Sequence, residues 1–102
     1  MGVPRGTTPT FTLTFNDEAL DLTTATGVYV TFNDNGNIIT KTGDAMTVGA
    51  KQIEVYLTQK ETLSFSVGAV EVQANWTYSD GKRAASKVAT VNITKQLLDE
   101  VI

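Results

Sequence analysis

Residues 69–78, AVEVQANWTY, form the longest alternating stretch of this 102-residue chain. The apolar side chains occupy every second position, as Val70, Val72, Ala74, Trp76 and Tyr78. Side chains of a β-strand point alternately to its two faces, so the pattern predicts a strand with one face in a core and the other in solvent. We expect Trp76, the single tryptophan, to be buried and to anchor that core.

Turn residues on both sides of this stretch predict how it pairs. Asp80-Gly81 follows it and predicts a hairpin whose return strand runs from about Arg83 to Ile93. Asn35-Gly36 is a second hairpin signal, because both residues tolerate the positive φ that a tight β-turn requires. The chain therefore contains two antiparallel hairpins.

Shorter alternating stretches predict the remaining strands. They cover residues 10–16, 28–32, 38–42, 46–48 and 52–58, with 20–22 as a short strand or an extended turn. Thr58 and Glu61 have the spacing of a capping box, which predicts a helix of one or two turns that closes at Gly68. Such a helix would cross between two sheets. Short strands at roughly ten-residue spacing favour an all-β fold, either an antiparallel sandwich or a small barrel.

The chain divides into three predicted parts. Residues 1–9 are rich in Gly, Pro and Thr, and this composition predicts a flexible lead-in. Residues 10–93 are predicted to form the β-sandwich domain. Residues 94–102 are predicted to be a short C-terminal helical segment, capped by Thr94. Its apolar side chains are candidate assembly contacts, and they are Leu97, Leu98, Val101 and Ile102. A helix this short is not stable alone, so we expect another subunit to cover its apolar stripe.

Composition excludes most kinds of chemistry. The chain has no cysteine and no histidine, which rules out zinc sites, a histidine base and the usual Ser-His-Asp and Cys-His nucleophiles. The carboxylates Asp17, Glu18, Asp21, Asp34 and Asp44 fall at turns, where such residues are common. We therefore expect no catalytic residues, no metal and no cofactor. A net charge of −3 with scattered basic residues predicts neither nucleic acid nor membrane as a partner.

Tyr29 and Tyr56 are the candidates for a binding face. Each lies opposite the apolar positions of its predicted strand and is therefore expected to be exposed. Exposed tyrosines can bind a partner, and they also stabilise sheets through cross-strand packing.

Three stretches of the chain resemble a known family. They are TLTF with LDL at residues 12–15 and 20–22, GVYVTF with Asn-Gly at 27–32 and 35–36, and VEVQANWTY with DGKRAAS at 70–78 and 80–86. Together, over Pro9 to Ile93, they resemble small β-sandwich domains of tailed phages and prophages of Gram-positive bacteria. The resemblance is to the N-terminal domain of baseplate upper proteins in particular.

The resemblance implies a fold and a role. The fold would be an immunoglobulin-like β-sandwich. Together with the residue patterns above, this predicts an antiparallel sandwich of six to eight strands with a short crossover helix and a short C-terminal helix. The role would be structural, in a phage or prophage tail or baseplate. The partners would be other virion proteins or further copies of the chain in a homo-oligomer, in the virion or in the bacterial cytoplasm before assembly. The alternatives are an immunoglobulin-like or carbohydrate-binding module of a bacterial surface protein, and a carboxylate-based hydrolase.

Overall fold

The computed structural model describes residues 2–98 and 100–102, and these form a mostly β structure, as predicted. The strands are β1 (Gly2–Pro4), β2 (Thr10–Thr14), β3 (Gly27–Asp34), β4 (Asn37–Thr42), β5 (Met46–Val48), β6 (Gln52–Tyr56), β7 (Gly68–Thr77), β8 (Arg83–Ala85) and β9 (Ala89–Thr94). One α-helix, α1 (Gln59–Leu63), and two short 3-10 turns connect them. These nine strands exceed the six to eight predicted, because β1 was not foreseen and the last predicted strand is two strands.

The strands form two sheets that share one core. The large sheet has the order β1-β9-β7-β3-β4, with β8 also on β7, and the small sheet has the order β2-β6-β5. The fully buried apolar side chains come from both sheets and from the connections between them, and they include Val30, Phe32, Ile53, Val55, Phe65, Val70 and Ile93. Trp76 belongs to this core and is 5% exposed, which confirms its predicted burial.

Aromatic pairs join the two sheets. Phe11 of β2 packs against Phe32 of β3 with ring centroids 5.5 Å apart. Phe15, just after β2, meets the Trp76 ring of β7 edge-on at 5.6 Å. These contacts place β2, an edge strand of the small sheet, over β3 and β7 of the large sheet.

Both predicted hairpin turns are confirmed. Asn35 has φ 49° and Gly36 has φ 99°, the pair of positive values that a type I′ turn requires between β3 and β4. Gly81 has φ 85° in the turn between β7 and β8. The return strand is interrupted at residues 86–88, and both of its parts pair with β7. Ser86 holds the interruption in place, since its hydroxyl accepts a hydrogen bond from the Ala74 amide at 3.0 Å.

The prediction of a flexible lead-in over residues 1–9 is wrong for most of its described part. β1 pairs in parallel with β9, so the large sheet is mixed and not purely antiparallel. The guanidinium of Arg5 donates to the carbonyl oxygens of Leu63 and Phe65, each at 2.7 Å. Gly2 permits the close approach, because a Cβ there would collide with Thr94 Cγ2. The lead-in is therefore tied both to a sheet edge and to the end of α1.

The predicted capping box starts α1. The Glu61 amide donates to Thr58 Oγ1 at 3.2 Å, and the Thr58 amide donates to Glu61 Oε1 at 2.9 Å. Lys41 Nζ of β4 lies 2.7 Å from both carboxylate oxygens of Glu61. α1 leads from the small sheet to the large sheet, as predicted, and this ion pair fixes it to β4.

The ion pair predicts a pH dependence of stability. Partial burial raises the pKa of Glu61, but hydrogen bonds from Lys41 and the Thr58 amide outweigh it, so the pKa lies below its ordinary value. A carboxylate with a lowered pKa stabilises the fold above its unfolded pKa of about 4.3, and this stability is lost as pH falls through the folded pKa. Glu61→Gln should therefore lower Tm at pH 7 and make it less sensitive to acid between about pH 5 and 3. Thermal melts across pH measure this, with Glu18→Gln as an exposed control, and parallel pH profiles for wild type and Glu61→Gln would contradict it.

The predicted C-terminal helix is also wrong. Residues 95–98 and 100–102 form no helix in the structure. Instead the segment returns to α1, where the Ile102 amide donates to Gln59 Oε1 at 2.9 Å and Gln59 Nε2 donates to the Ile102 carbonyl at 3.1 Å. The physical reason is that helix nucleation is unfavourable in so short a segment, and no surface covers its apolar side to compensate for that free energy.

Candidate functional site

Tyr29 and Tyr56 do not form one binding face. Both point outward as predicted, with 40% and 38% of their surface exposed. Tyr29 lies on the outer face of the large sheet, because its neighbour Val30 faces the core, whereas Tyr56 lies on the outer face of the small sheet next to inward-facing Val55. The two faces are on opposite sides of the molecule. The Tyr56 hydroxyl is 2.9 Å from Thr47 Oγ1 of β5, an arrangement typical of cross-strand stabilisation.

The outer face around Tyr29 holds an open cleft of about 390 Å³. Its lining consists of Tyr29, Thr31, Thr40, Asn75, Thr77 and Arg83. The Arg83 guanidinium donates to Asn75 Oδ1 at 3.0 Å, which fixes both side chains on the sheet surface. One aromatic ring beside amide, hydroxyl and guanidinium groups can contact a polar ligand such as a sugar.

All four candidate assembly residues of the C-terminal segment are exposed. The exposed fractions are 91% for Leu97, 49% for Leu98, 59% for Val101 and 84% for Ile102. The Gln59 contact holds the end of the segment beside α1 but covers little of these side chains. The segment therefore presents a cluster of apolar surface to solvent at the α1 end of the molecule.

A groove of about 830 Å³ opens on the side of the molecule. Its apolar floor comes from the end of β2, the loop after it, and β7 with β8, and consists of Leu13, Phe15, Leu20, Trp76, Tyr78 and Ala84. Asp17 and Lys87 lie at its rim as one acidic and one basic group. We call this the β2–β8 groove.

The groove exists because the two sheets differ in width. The small sheet has three strands and ends at β2, which lies over β3 and β7. On the large sheet, β8 and β9 continue beyond β7 on the same side. A fourth strand of the small sheet, added beside β2, would fill this space. In the described part of the chain β2 pairs only with β6, so its other edge is free.

The loop carboxylates accept hydrogen bonds from backbone amides, mostly within turns. Asp17 accepts a hydrogen bond from the Ala19 amide, and Asp21 caps the 3-10 turn at Leu22–Thr24. Hydrogen bonds from the hydroxyl and amide of Thr23 lower the pKa of Asp21 below its ordinary value. Asp34 is buried and accepts from the Ser66 amide at 2.6 Å. Across residues 2–98 and 100–102, no group of three or more carboxylates is close enough to hold a metal ion.

Comparison with protein-family models, with curated proteins and with solved structures finds no match to this chain. Among the described residues, no helix is long and apolar enough to cross a bilayer. The exposed apolar segment, the β2–β8 groove and the Tyr29 cleft are therefore the features on which a functional proposal can rest.

Sequence patterns did not reveal the groove. Its floor joins Phe15 and Leu20 to Trp76 and Ala84, which are far apart in the chain. Each of these residues looks like an ordinary core position, since alternation shows that a side chain points inward but not that the opposite sheet ends before covering it. The one local signal is Ala84 of β8, a small residue that pairs with Trp76 and leaves room above the inner face of the sheet.

Proposed function

We propose that this chain is a structural protein of a phage or prophage virion, a component of its tail or baseplate, and that it acts through protein–protein contacts. The observation that carries the proposal is the exposed apolar segment with Leu97, Leu98, Val101 and Ile102. Clustered apolar surface on a small domain marks an interaction site, because it costs free energy as long as water covers it. Its partners are other virion proteins or further copies of the chain.

Two features of the fold support an assembly role. The free edge of β2 offers unpaired backbone groups to an incoming strand, which is a common way for β domains to associate. The β2–β8 groove beside it offers an apolar surface. For the fold itself we propose an immunoglobulin-like sandwich, supported by two facing sheets and a tryptophan buried between them.

We further propose that the chain is not an enzyme. The carboxylates that a hydrolase would need in pairs are engaged separately, Asp17 and Asp21 in turns and Asp34 with the Ser66 amide. A structural protein requires no such pair. It would be found in the virion, and in the bacterial cytoplasm before assembly, without nucleic acid or membrane as partners.

Purified particles test the proposal. Phage particles from the source bacterium, induced and separated on a density gradient, should contain the chain in a fixed ratio to the major tail proteins, measured by quantitative mass spectrometry. Particles from a phage encoding Leu97→Asp and Val101→Asp should contain less of the chain. If the chain stays in the particle-free fractions while tail proteins sediment, the virion role is wrong.

The Tyr29 cleft favours one alternative, a carbohydrate-binding module. Tyrosine faces with amide and guanidinium groups nearby bind sugars by stacking and hydrogen bonding. Glycan-array binding that is lost in Tyr29→Ala, and retained in Tyr56→Ala on the other sheet, would favour this alternative over an assembly role.

A further inference from the structure

We propose that the β2–β8 groove of one copy binds the C-terminal segment, residues 95–102, of a second copy, so that the chain associates head to tail. This inference rests on the proposed assembly function and names one partner for it. It joins two apolar surfaces of the molecule, the exposed segment and the groove.

The two surfaces lie toward opposite ends of β7. β7 runs ten residues, about 33 Å when extended. Its Gly68 end pairs with Ile93, just before the C-terminal segment leaves the sheet. Its Trp76–Thr77 end pairs with β8 and forms the floor of the groove. The Gln59–Ile102 hydrogen bonds keep the segment at the Gly68 end, away from the groove of its own copy.

The edge of β2 that faces away from β6 has backbone groups that can pair with an added strand. The backbone amide of Phe15 donates a hydrogen bond to the Lys51 carbonyl, and the backbone amide of Leu57 donates one to the Pro9 carbonyl. The odd-numbered residues of β2 therefore bond to β6, and the backbone groups of Thr10, Thr12 and Thr14 point to the free edge. A segment laid along that edge gains backbone hydrogen bonds and becomes the fourth strand of the small sheet.

The segment suits this position in size and charge. An extended conformation puts Lys95, Leu97, Asp99 and Val101 on one face by sequence alternation, and Leu97 and Val101 of that face would meet Phe15, Trp76 and Ala84. On that face Lys95 stands at the start of the segment and Asp99 near its end. The groove rim offers the opposite charges, Asp17 and Lys87. Charge complementarity of this kind fixes the direction and register of a bound segment.

The geometry determines the form of the assembly. A segment-to-groove contact uses different surfaces on the two copies, so it is heterologous, and the bound pair still has one free segment on one copy and one free groove on the other. Such contacts build chains or closed rings and not two-fold dimers. The molecule measures 46 Å by 22 Å by 22 Å.

The test is complementation between two variants. The segment variant carries Leu97→Asp and Val101→Asp, and the groove variant carries Ala89→Glu, which adds bulk and negative charge at the groove. All three side chains are exposed, so the variants should fold, and thermal melts check this. Val67→Asp is the matched control, because Val67 is 59% exposed, as Val101 is, and lies outside both surfaces.

Analytical ultracentrifugation measures the result. Wild type and Val67→Asp should shift from an 11.0 kDa monomer to dimers and longer species with rising concentration, up to about 1 mM. Each contact variant alone should stay monomeric. Their equimolar mixture should form a dimer and nothing longer, since only one functional segment–groove contact remains. Hydrogen exchange should show new protection at the Thr12 and Thr14 amides in the associated form.

Three outcomes would each overturn the inference. They are a wild type that stays monomeric, a groove variant that associates like wild type, and a mixture of the two variants that stays monomeric. A monomeric wild type would result if each copy bound its own segment or if the segment bound another protein. These outcomes leave the virion proposal standing, provided that purified particles contain the chain. Conversely, self-association of a chain absent from particles would reject the virion role alone.

Discussion

Trp76→Ala should lower the free energy of unfolding by about 3–5 kcal/mol, as large aromatic deletions from a core do. Trp76 is 5% exposed, meets Phe15 of the facing sheet edge-on, and donates its indole N–H to the Tyr78 hydroxyl at 3.0 Å. Its removal leaves a cavity where the sheets meet and exposes more of the groove. Since a domain of this size loses about 4–8 °C of Tm per kcal/mol, the thermal midpoint should fall by at least about 12 °C.

Trp76→Phe is the matched control. It keeps an aromatic ring against Phe15 but loses the indole N–H and some volume, so its loss should be less than half that of alanine. Thermal and urea unfolding followed by circular dichroism measure both variants. A fall of less than about 1 kcal/mol for alanine, within the range of surface substitutions, would show that Trp76 does not hold the sheets together. As the single tryptophan, it also reports burial directly through a blue-shifted emission in the native protein.

Removing residues 1–5 should destabilise the domain by about 3 kcal/mol. The largest part comes from the Arg5 guanidinium, whose hydrogen bonds to the Leu63 and Phe65 carbonyls are of a kind that contributes about 1.5–3 kcal/mol. Val3 adds about 1 kcal/mol through its partial burial against the core. The Tm should fall by about 12 °C or more.

Removal of residues 95–102 is the control at the other end of the chain. The side chains of residues 95–98 and 100–102 are exposed, and among these described residues the hydrogen bonds to the rest of the chain reach only Gln59, so the Tm should change by no more than about 4 °C. The truncated chain should no longer self-associate. Arg5→Lys refines the first result, because lysine keeps the charge but cannot make the two-pronged contact, and its effect should be intermediate. Equal effects of the two truncations would contradict the roles that the structure gives to these ends.

Several elements could be predicted from neighbouring residues alone. The alternation of residues 69–78 predicted β7, and Asn35-Gly36 predicted the tight turn between β3 and β4. The spacing of Thr58 and Glu61 predicted the start of α1. In each case the determining interaction is local, between residues that are adjacent, alternate or three apart, so the chain carries it whatever surrounds it.

The two ends of the chain were predicted wrongly for the opposite reason. β1 is three residues with the sequence Gly-Val-Pro. Its order comes from β9, about 90 residues away, and from the carbonyls that Arg5 binds, about 60 residues away. The C-terminal segment has good helical spacing, but spacing does not form a helix where no surface covers the apolar side. In both cases long-range contacts, or their absence, outweighed the local pattern.

For the candidate sites, the sequence by itself determined that Tyr29 and Tyr56 point outward, that Trp76 points inward, and that the chain lacks histidine and cysteine chemistry. Only the tertiary structure decided that the two tyrosines lie on opposite faces and that β2 ends the small sheet before it covers β8. The physical reason is that alternation fixes a side chain's direction relative to its own strand. The number and order of strands in each sheet depend on which distant edges pair, and the groove follows from that count.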